Sequence, residues 1–381
     1  MRFVAAPFDA LPERGLPSFD FVVAHGVYSW IGAHDRRVLR NLIAARLAPG
    51  GLAYLSYNCL PGWSLELPVR RLMHELAAVT AHAAKGPADA VDAVCTALEQ
   101  LADAGLGYFH QHPALAAALD AYRRSPPGYL AHEFLGVDWA PSYSVDVADE
   151  MAEAGMVPIG SATLCDNHPP LLLGDRLAAR IAALPSSRLR RLAVDFAVER
   201  RFRRDLFMHA ADRSHAAAVD LDATVLLGRA AGAPKLPATV SVPRGRLTFA
   251  PDFVRSLEAL LENGGASLAQ LCDALAAEAD LRPAVRRNLL YLTAAGALQP
   301  YARRSGRAEP GQPLRFPSVT VERMVATAAK SERYGWVAST LTGAGVRVDR
   351  AEAAALLRAV AARRADLPRG LHRLRRLGLV R

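Results

Sequence analysis

Cysteine, lysine and unbroken apolar runs are all scarce in this chain of 381 residues. The four cysteines, Cys59, Cys95, Cys165 and Cys272, stand far apart with no CxxC pair. That spacing excludes a disulfide framework or a paired-cysteine zinc ribbon and predicts reduced, mostly buried thiols. No stretch of about 18 uncharged apolar residues occurs, so no membrane span is expected. Residues 1–17 mix apolar side chains with Pro, Asp, Glu and Arg, which is not a signal peptide, and the expected location is cytoplasmic. Only three of the 46 basic residues are lysine. The net charge of +9 accompanies an Arg- and Ala-rich composition throughout, so nucleic acid is not the expected partner. A G-x-G-x-x-G loop is also missing. Residues 228–235 (Gly-Arg-Ala-Ala-Gly-Ala-Pro-Lys) imitate a phosphate loop, but the lysine is displaced from the second glycine and no Ser or Thr follows.

What is present reads as α/β with helix predominating. Residues 2–5 are β-prone. The run Phe19 to His25, flanked by turn signals, has the composition of a strand buried on both faces of a parallel sheet. Asp35 to Leu47 carries Val38, Leu39, Leu42, Ile43 and Leu47 at helical spacing and stops at Pro49-Gly50-Gly51, after which Leu52 to Tyr57 forms a second buried strand. Strand, helix and strand in that order predict a parallel crossover in a doubly wound sheet. Residues 68–145 form a helical insertion. A helix over 146–154 follows, then a strand from Met156 and a helix over 188–198, with 201–209 as a final edge strand. A break at 232–237 precedes a C-terminal region, 235–381, whose short helices and extended segment suit a winged-helix-like module.

Several clusters weigh little. His110, His112, His132 and Glu133 include an HxH without a neighbouring carboxylate motif, and no metal is expected. Cys165 to His168 are adjacent, whereas catalytic triads assemble through the fold. The arginine run 188–204 reads as a solvated face.

His25-Gly26-Val27-Tyr28-Ser29-Trp30, Leu47-Ala48-Pro49-Gly50-Gly51 and Ser56-Tyr57-Asn58-Cys59-Leu60-Pro61-Gly62-Trp63 together resemble class I S-adenosylmethionine-dependent methyltransferases that carry a methyltransferase regulatory domain. Tyr129-Leu130-Ala131-His132-Glu133, Gly155 to Gly160 and Arg200-Arg201-Phe202-Arg203 continue the likeness. Some members of that family methylate lysines of bacterial surface proteins. The resemblance implies a partial methyltransferase domain over 1–67, a regulatory insertion over 68–145, the remaining strands and helices over 146–215, and a protein substrate. It implies catalytic roles for His25, Tyr28, Tyr57 and Asn58, cofactor contacts at Phe8, Asp9, His25 and Gly26, and substrate contacts at Trp30 and Trp63. The family's first strand and glycine-rich turn should precede Phe3, so poor binding of S-adenosylmethionine is expected of this chain. The rival readings are a non-catalytic relative serving as a regulatory or protein-binding module and, third, a DNA-binding regulator. Neither the methyl acceptor nor the oligomeric state follows from these residues.

Overall fold

Branched and aromatic side chains over 19–24, and a longer apolar run from residue 47, build the first two strands. They are β1 (Phe19–Ala24) and β2 (Leu47–Asn58), which pair in parallel and are joined by helix α1 (Ala33–Arg46). The computed structural model describes residues 3–80, 86–115, 118, 124–136, 138–214, 221–230, 235–262, 264–302, 312–332 and 334–380. It divides into two compact units, Met1–Ala217 and Ala218–Arg381.

The turn expected at Pro49-Gly50-Gly51 does not interrupt the chain. Helix α1 passes directly into β2 at Leu47, Gly50 takes a φ of 73°, and the register with β1 shifts between Phe19 and Phe21. The extra residues are absorbed as a bulge, which keeps both flanks in the sheet. Gly51 is needed there, because a Cβ would lie 2.8 Å from the Ala48 carbonyl and 3.0 Å from that of Asp20. Residues 3–7 form no strand; the chain reaches β1 through two short 3-10 turns, Phe8–Ala10 and Pro12–Arg14.

In the insertion, α2 (Glu66–Thr80), α3 (Pro87–Asp103) and α4 (Pro127–Leu135) enclose their own core of Trp63, Met73, Val94, Leu98, Leu130 and Trp139. Helix α5 (Ser144–Glu153) follows, then β3 (Met156–Ser161), α6 (Ser187–Ala197) and β4 (Phe202–His209). The sheet order is β1-β2-β4-β3, with β4 antiparallel to both neighbours. The segment expected as a final edge strand over 201–209 is therefore an interior strand, Phe202–His209. Its inward residues Arg203, Asp205 and Phe207 are all buried beside Tyr57, Leu55 and Ala53 of β2. The inner face packs on α1 and α5 through Leu39, Ile43, Leu55, Tyr57, Val147, Met151 and Phe207.

The outer face at β1 is bare. Phe21 is 70% exposed and Val23 66%, whereas Val22 and Ala24 turn toward the core, so the expectation of burial on both faces fails for this strand. Among the described strands β1 pairs only with β2. A free parallel edge flanked by exposed apolar side chains is a template for association. The chain is expected to self-associate as concentration rises, and Phe21→Lys with Val23→Lys should restore a monomer in sedimentation velocity. A wild-type chain that stays monomeric at about 100 µM, roughly the range of weak association, would count against this reading.

In the second unit a short helical turn, Leu221–Thr224, precedes β5 (Leu226–Arg229). The hairpin β6 (Thr239–Val242) and β7 (Gly245–Thr248) follows, then α7 (Pro251–Leu260), β8 (Ala266–Ser267), α8 (Leu268–Leu275), α9 (Arg282–Ala294) and β9 (Leu298–Tyr301). Strands β8, β5 and β9 form one sheet. Beyond them lie α10 (Val319–Ala328), the hairpin β10 (Tyr334–Ala338) and β11 (Gly345–Asp349), and α11 (Arg350–Ala361). Capping boxes at Ser267/Gln270 and Asp349/Glu352 start α8 and α11 by satisfying otherwise unpaired backbone amides. Residues 232–234 of the expected linker lie outside the described residues. No described helix is long and apolar enough to cross a membrane.

Candidate functional site

In an open sheet the carboxyl ends of parallel strands are where ligands gather. His25 stands one residue past the end of β1, exposed, and Tyr54 and Ser56 occupy alternate positions near the end of β2. Alternation places Tyr54 and Ser56 on the same face of the sheet, opposite Leu55 and Tyr57. His25 Nδ1 lies 2.9 Å from the Tyr54 hydroxyl and 3.3 Å from Ser56 Oγ. The Gly26 amide donates to Ser56 Oγ at 2.8 Å, and Gly26 takes a φ of 64° with open space where a Cβ would be. Phe202 and the imidazole meet in a T-shaped arrangement, with ring centroids 6.5 Å apart, and the Arg204 guanidinium lies 5.3 Å over the Phe202 ring. One imidazole nitrogen is thus held by hydroxyls while the ring stays open to solvent.

Asn58, the last residue of β2, is 8% exposed. Its amide N–H donates to Ser29 Oγ at 2.8 Å, and its carbonyl accepts from the Ser142 amide at 3.0 Å. Its side-chain Nδ2 donates to Glu133 Oε1 of α4 at 3.3 Å. Glu133 is itself 6% exposed, and burial pushes its carboxyl above the usual range against the opposing pull of Asn58, Arg201 and Arg70. Trp30 follows Ser29 in sequence and lies 6.1 Å from Trp139, which in turn meets Trp63 edge-on at 5.0 Å. Arg70 lies over Trp139 at 4.7 Å and Arg201 over Trp63 at 4.0 Å. Trp63 donates its indole N–H to the Arg201 carbonyl, so it anchors the start of the insertion to the residue just before β4. Cys59 is buried, and burial holds its thiol well above the usual range.

The two tyrosines named from sequence belong to the other side of the sheet. Tyr28 is fully buried and donates to Glu150, which also pairs with Arg40. Tyr57 is 1% exposed and donates to Asp205 Oδ2 at 2.6 Å. Burial first, and then the carboxylate neighbour, hold both hydroxyls far above the ordinary phenol range. Their rings lie 6.4 Å apart within the inner core, so they reach neither His25 nor Asn58 through a hydrogen bond. The reason is parity: in a strand, residue 57 faces opposite to 56 and 58. Phe8 packs on the same inner cluster, and Asp9 is exposed in the first 3-10 turn.

Tyr57 ends a buried charge network. Arg203 bonds both Asp205 and Asp195, Ser144 donates to Asp195, and Arg191 and Arg200 close the outside. Burial alone would lower the Arg203 guanidinium, yet Asp205, Tyr57 and Asp195 hold it well above its ordinary value. The run 188–204 is therefore not a purely solvated face: its arginines at 191, 200 and 203 turn inward, as a strand and helix packed together require. Asp166 pairs with Arg200, and Asn167 closes the turn at Ser161, so both serve the scaffold.

The residues missed from sequence are Tyr54, Ser56, Glu133 and Trp139. Tyr54 and Ser56 were legible, since they share the strand parity of Asn58. Glu133 was not, because only the fold brings α4 to β2 across 75 residues.

Residues 126–209, which include Glu133 and the arginines and aspartates of the buried network, match the family described as a predicted methyltransferase regulatory domain. Residues 126–209 are thus similar to that domain, and a likeness of fold to solved structures extends over most of the chain. It is 26% identical over 362 residues to the uncharacterized protein sll1526 of Synechocystis, covering 94% of this chain and 70% of that relative. The uncharacterized protein RP028 of Rickettsia prowazekii is 38% identical over 61 residues, 16% of this chain and 24% of its own length. Among solved structures, PKMT2 from Rickettsia typhi shares the fold with a TM-score of 0.62 at 17% identity, over 89% of this chain and 69% of its own. The same protein in complex with AdoHcy gives 0.63, over 92% of this chain and 71% of its own.

Proposed function

We propose that this chain carries the acceptor side of an S-adenosylmethionine-dependent methyltransferase and that the acceptor is a protein side-chain nitrogen, lysine foremost. The observation that carries this reading is the delivery of His25 and Asn58 to the ends of the parallel pair β1 and β2, one of them bonded to the matched regulatory domain. When bound, S-adenosylmethionine supplies a sulfonium-activated methyl group. His25, Gly26 and Ser56 fit its polar amino-acid end, because Gly26 leaves open space and the Ser56 hydroxyl is already oriented. With Nδ1–H given to the Tyr54 and Ser56 hydroxyls, His25 Nε2 keeps a lone pair for the acceptor's proton. In water that transfer, from an ammonium of pKa about 10.4 to an imidazole of about 6.5, is uphill by about 5 kcal/mol. The acceptor must therefore be partly desolvated, and Trp30 beside Ser29 provides apolar surface for that. Helices α7 to α9 with β8 and β9 support reading the second unit as a winged-helix-like module.

The test is methyl incorporation from labelled S-adenosylmethionine, at millimolar concentration, into a lysine-containing acceptor protein. Methyl-lysine detected by mass spectrometry is expected, with His25→Ala lowering the rate about 100-fold, the lower range for a lost acid–base group. No incorporation would favour the second reading, a module that binds the acceptor without transferring methyl. The absence of a G-x-G-x-x-G motif from the sequence is what supports that alternative.

A further inference from the structure

The Asn58–Glu133 pair has more acceptor capacity than its own hydrogen bond uses. Asn58 Nδ2 goes to Glu133 Oε1, which leaves Asn58 Oδ1 and Glu133 Oε2 without partners among the described residues. Neither oxygen is among the sealed, unsatisfied atoms of the structure, so each keeps contact with solvent although both residues are more than nine-tenths buried. A carboxylate accepts only, and this obliges the Asn58 amide to turn its NH₂ toward Glu133 and its carbonyl oxygen away. Trp139, in the tryptophan cluster beside this pair, also holds its indole N–H buried and unpartnered.

Two free acceptors, one of them charged, within a largely desolvated and tryptophan-flanked region select a ligand that is all donor. A primary ammonium has three N–H donors and no acceptor. A neutral amide or hydroxyl would add no charge to the partial compensation that Arg70 and Arg201 give this buried carboxylate, whereas an ammonium would.

We propose that Asn58 Oδ1 and Glu133 Oε2 form a docking site for a primary alkylammonium, through which the regulatory domain itself selects the acceptor side chain. The inference rests on the acceptor reading above and adds Glu133 as a specificity-determining residue. A carboxylate favours the charged form of its cation. The site therefore recognises the ammonium before proton loss; it is not the position of attack. Raised by burial, the Glu133 carboxyl takes up a proton at higher pH than an exposed glutamate, so affinity should fall on acidification earlier than an exposed pair would. Arg70 and Arg201, the charged groups facing it from α2 and from the residue just before β4, oppose that rise without cancelling it.

The test uses the full chain and two probes, Nα-acetyl-lysine methylamide and its Nε-acetylated counterpart, followed by the Asn58 side-chain amide resonance and the indole resonances of Trp30 and Trp139. The lysine probe should shift these signals saturably and the Nε-acetylated probe should not. Glu133→Gln, which preserves size and hydrogen-bonding ability, should weaken the lysine probe about tenfold or more, as expected for a lost charge-assisted hydrogen bond. If that variant does not fold, the difference between the two probes on the unaltered protein decides the matter. Equal binding of both probes, unchanged affinity in a folded Glu133→Gln variant, or no shift at about 50 mM lysine probe would each overturn the site. Methyl incorporation is measured separately. Ammonium binding without methyl transfer keeps this site and sinks the enzymatic reading; methyl transfer without ammonium binding does the reverse.

Discussion

Arg203→Ala is expected to cost the N-terminal unit about 3–5 kcal/mol, the loss seen when one member of a buried ion pair is removed. Asp195 and Asp205 are both fully buried, and among the described residues Arg203 is the one cation that hydrogen-bonds both. Without it two carboxylates remain in a low-dielectric interior, with only Arg191 and Arg200 at 3.5 Å. A loss of that size is a large part of the total stability of an ordinary domain, so much of the variant should be unfolded at room temperature. Urea denaturation followed by circular dichroism checks it. Tyr57→Phe sets the scale, because it strips one hydrogen bond from Asp205 and should cost about 1–2 kcal/mol. Replacing Arg203, Asp195 and Asp205 together by Met, Leu and Leu should recover most of the loss, since apolar substitution of an entire buried ion network is often neutral or stabilising. A loss under about 1 kcal/mol for Arg203→Ala would mean that water already screens the network.

The second large effect concerns the cofactor. Calorimetry of the 381-residue chain with S-adenosylmethionine is expected to give a dissociation constant weaker than about 1 mM, against the micromolar range of an ordinary cofactor site. That difference corresponds to about 4 kcal/mol. The physical reason is that backbone N–H groups of a glycine-rich turn at a helix N-terminus provide much of the grip in such crevices. This sequence contains no such motif. His25, Gly26 and Ser56 offer side-chain contacts at one end only, and Phe8 is turned toward the inner cluster. Saturable binding tighter than about 10 µM would show that the remaining residues suffice. The same measurement on His25→Ala separates a cofactor contact from an acceptor contact, because only the former changes the binding heat in the absence of acceptor.

The site was half legible beforehand. His25 and Asn58 could be placed from the strand-end pattern alone, and both stand where that pattern puts them. Tyr28 and Tyr57 were legible as residues but not as orientations. A one-residue step along a strand reverses the face, and which face is buried depends on where α1, α5 and α6 pack. The arginine run illustrates the same point. Arg200, Arg203 and Arg204 are alike in composition, yet Arg203 is buried on two aspartates while Arg204 lies over Phe202 on the outer face. Local charge density says nothing about which of them meets a buried carboxylate contributed by another element.

Periodicity and turn residues determined by themselves the order of β1, α1 and β2, the helix ending before Gly155, and the main helices of the second unit. Those features depend on neighbours within a few residues, and backbone sterics and side-chain spacing settle them locally. Only the tertiary structure decided that β4 lies inside the sheet, that Pro49–Gly51 is a bulge and not a turn, and that Glu133 meets Asn58. Each of these depends on a partner strand or helix dozens of residues away. The free energy that selects it comes from burying shared apolar surface and pairing buried charge, and neither quantity exists until the chain has closed on itself.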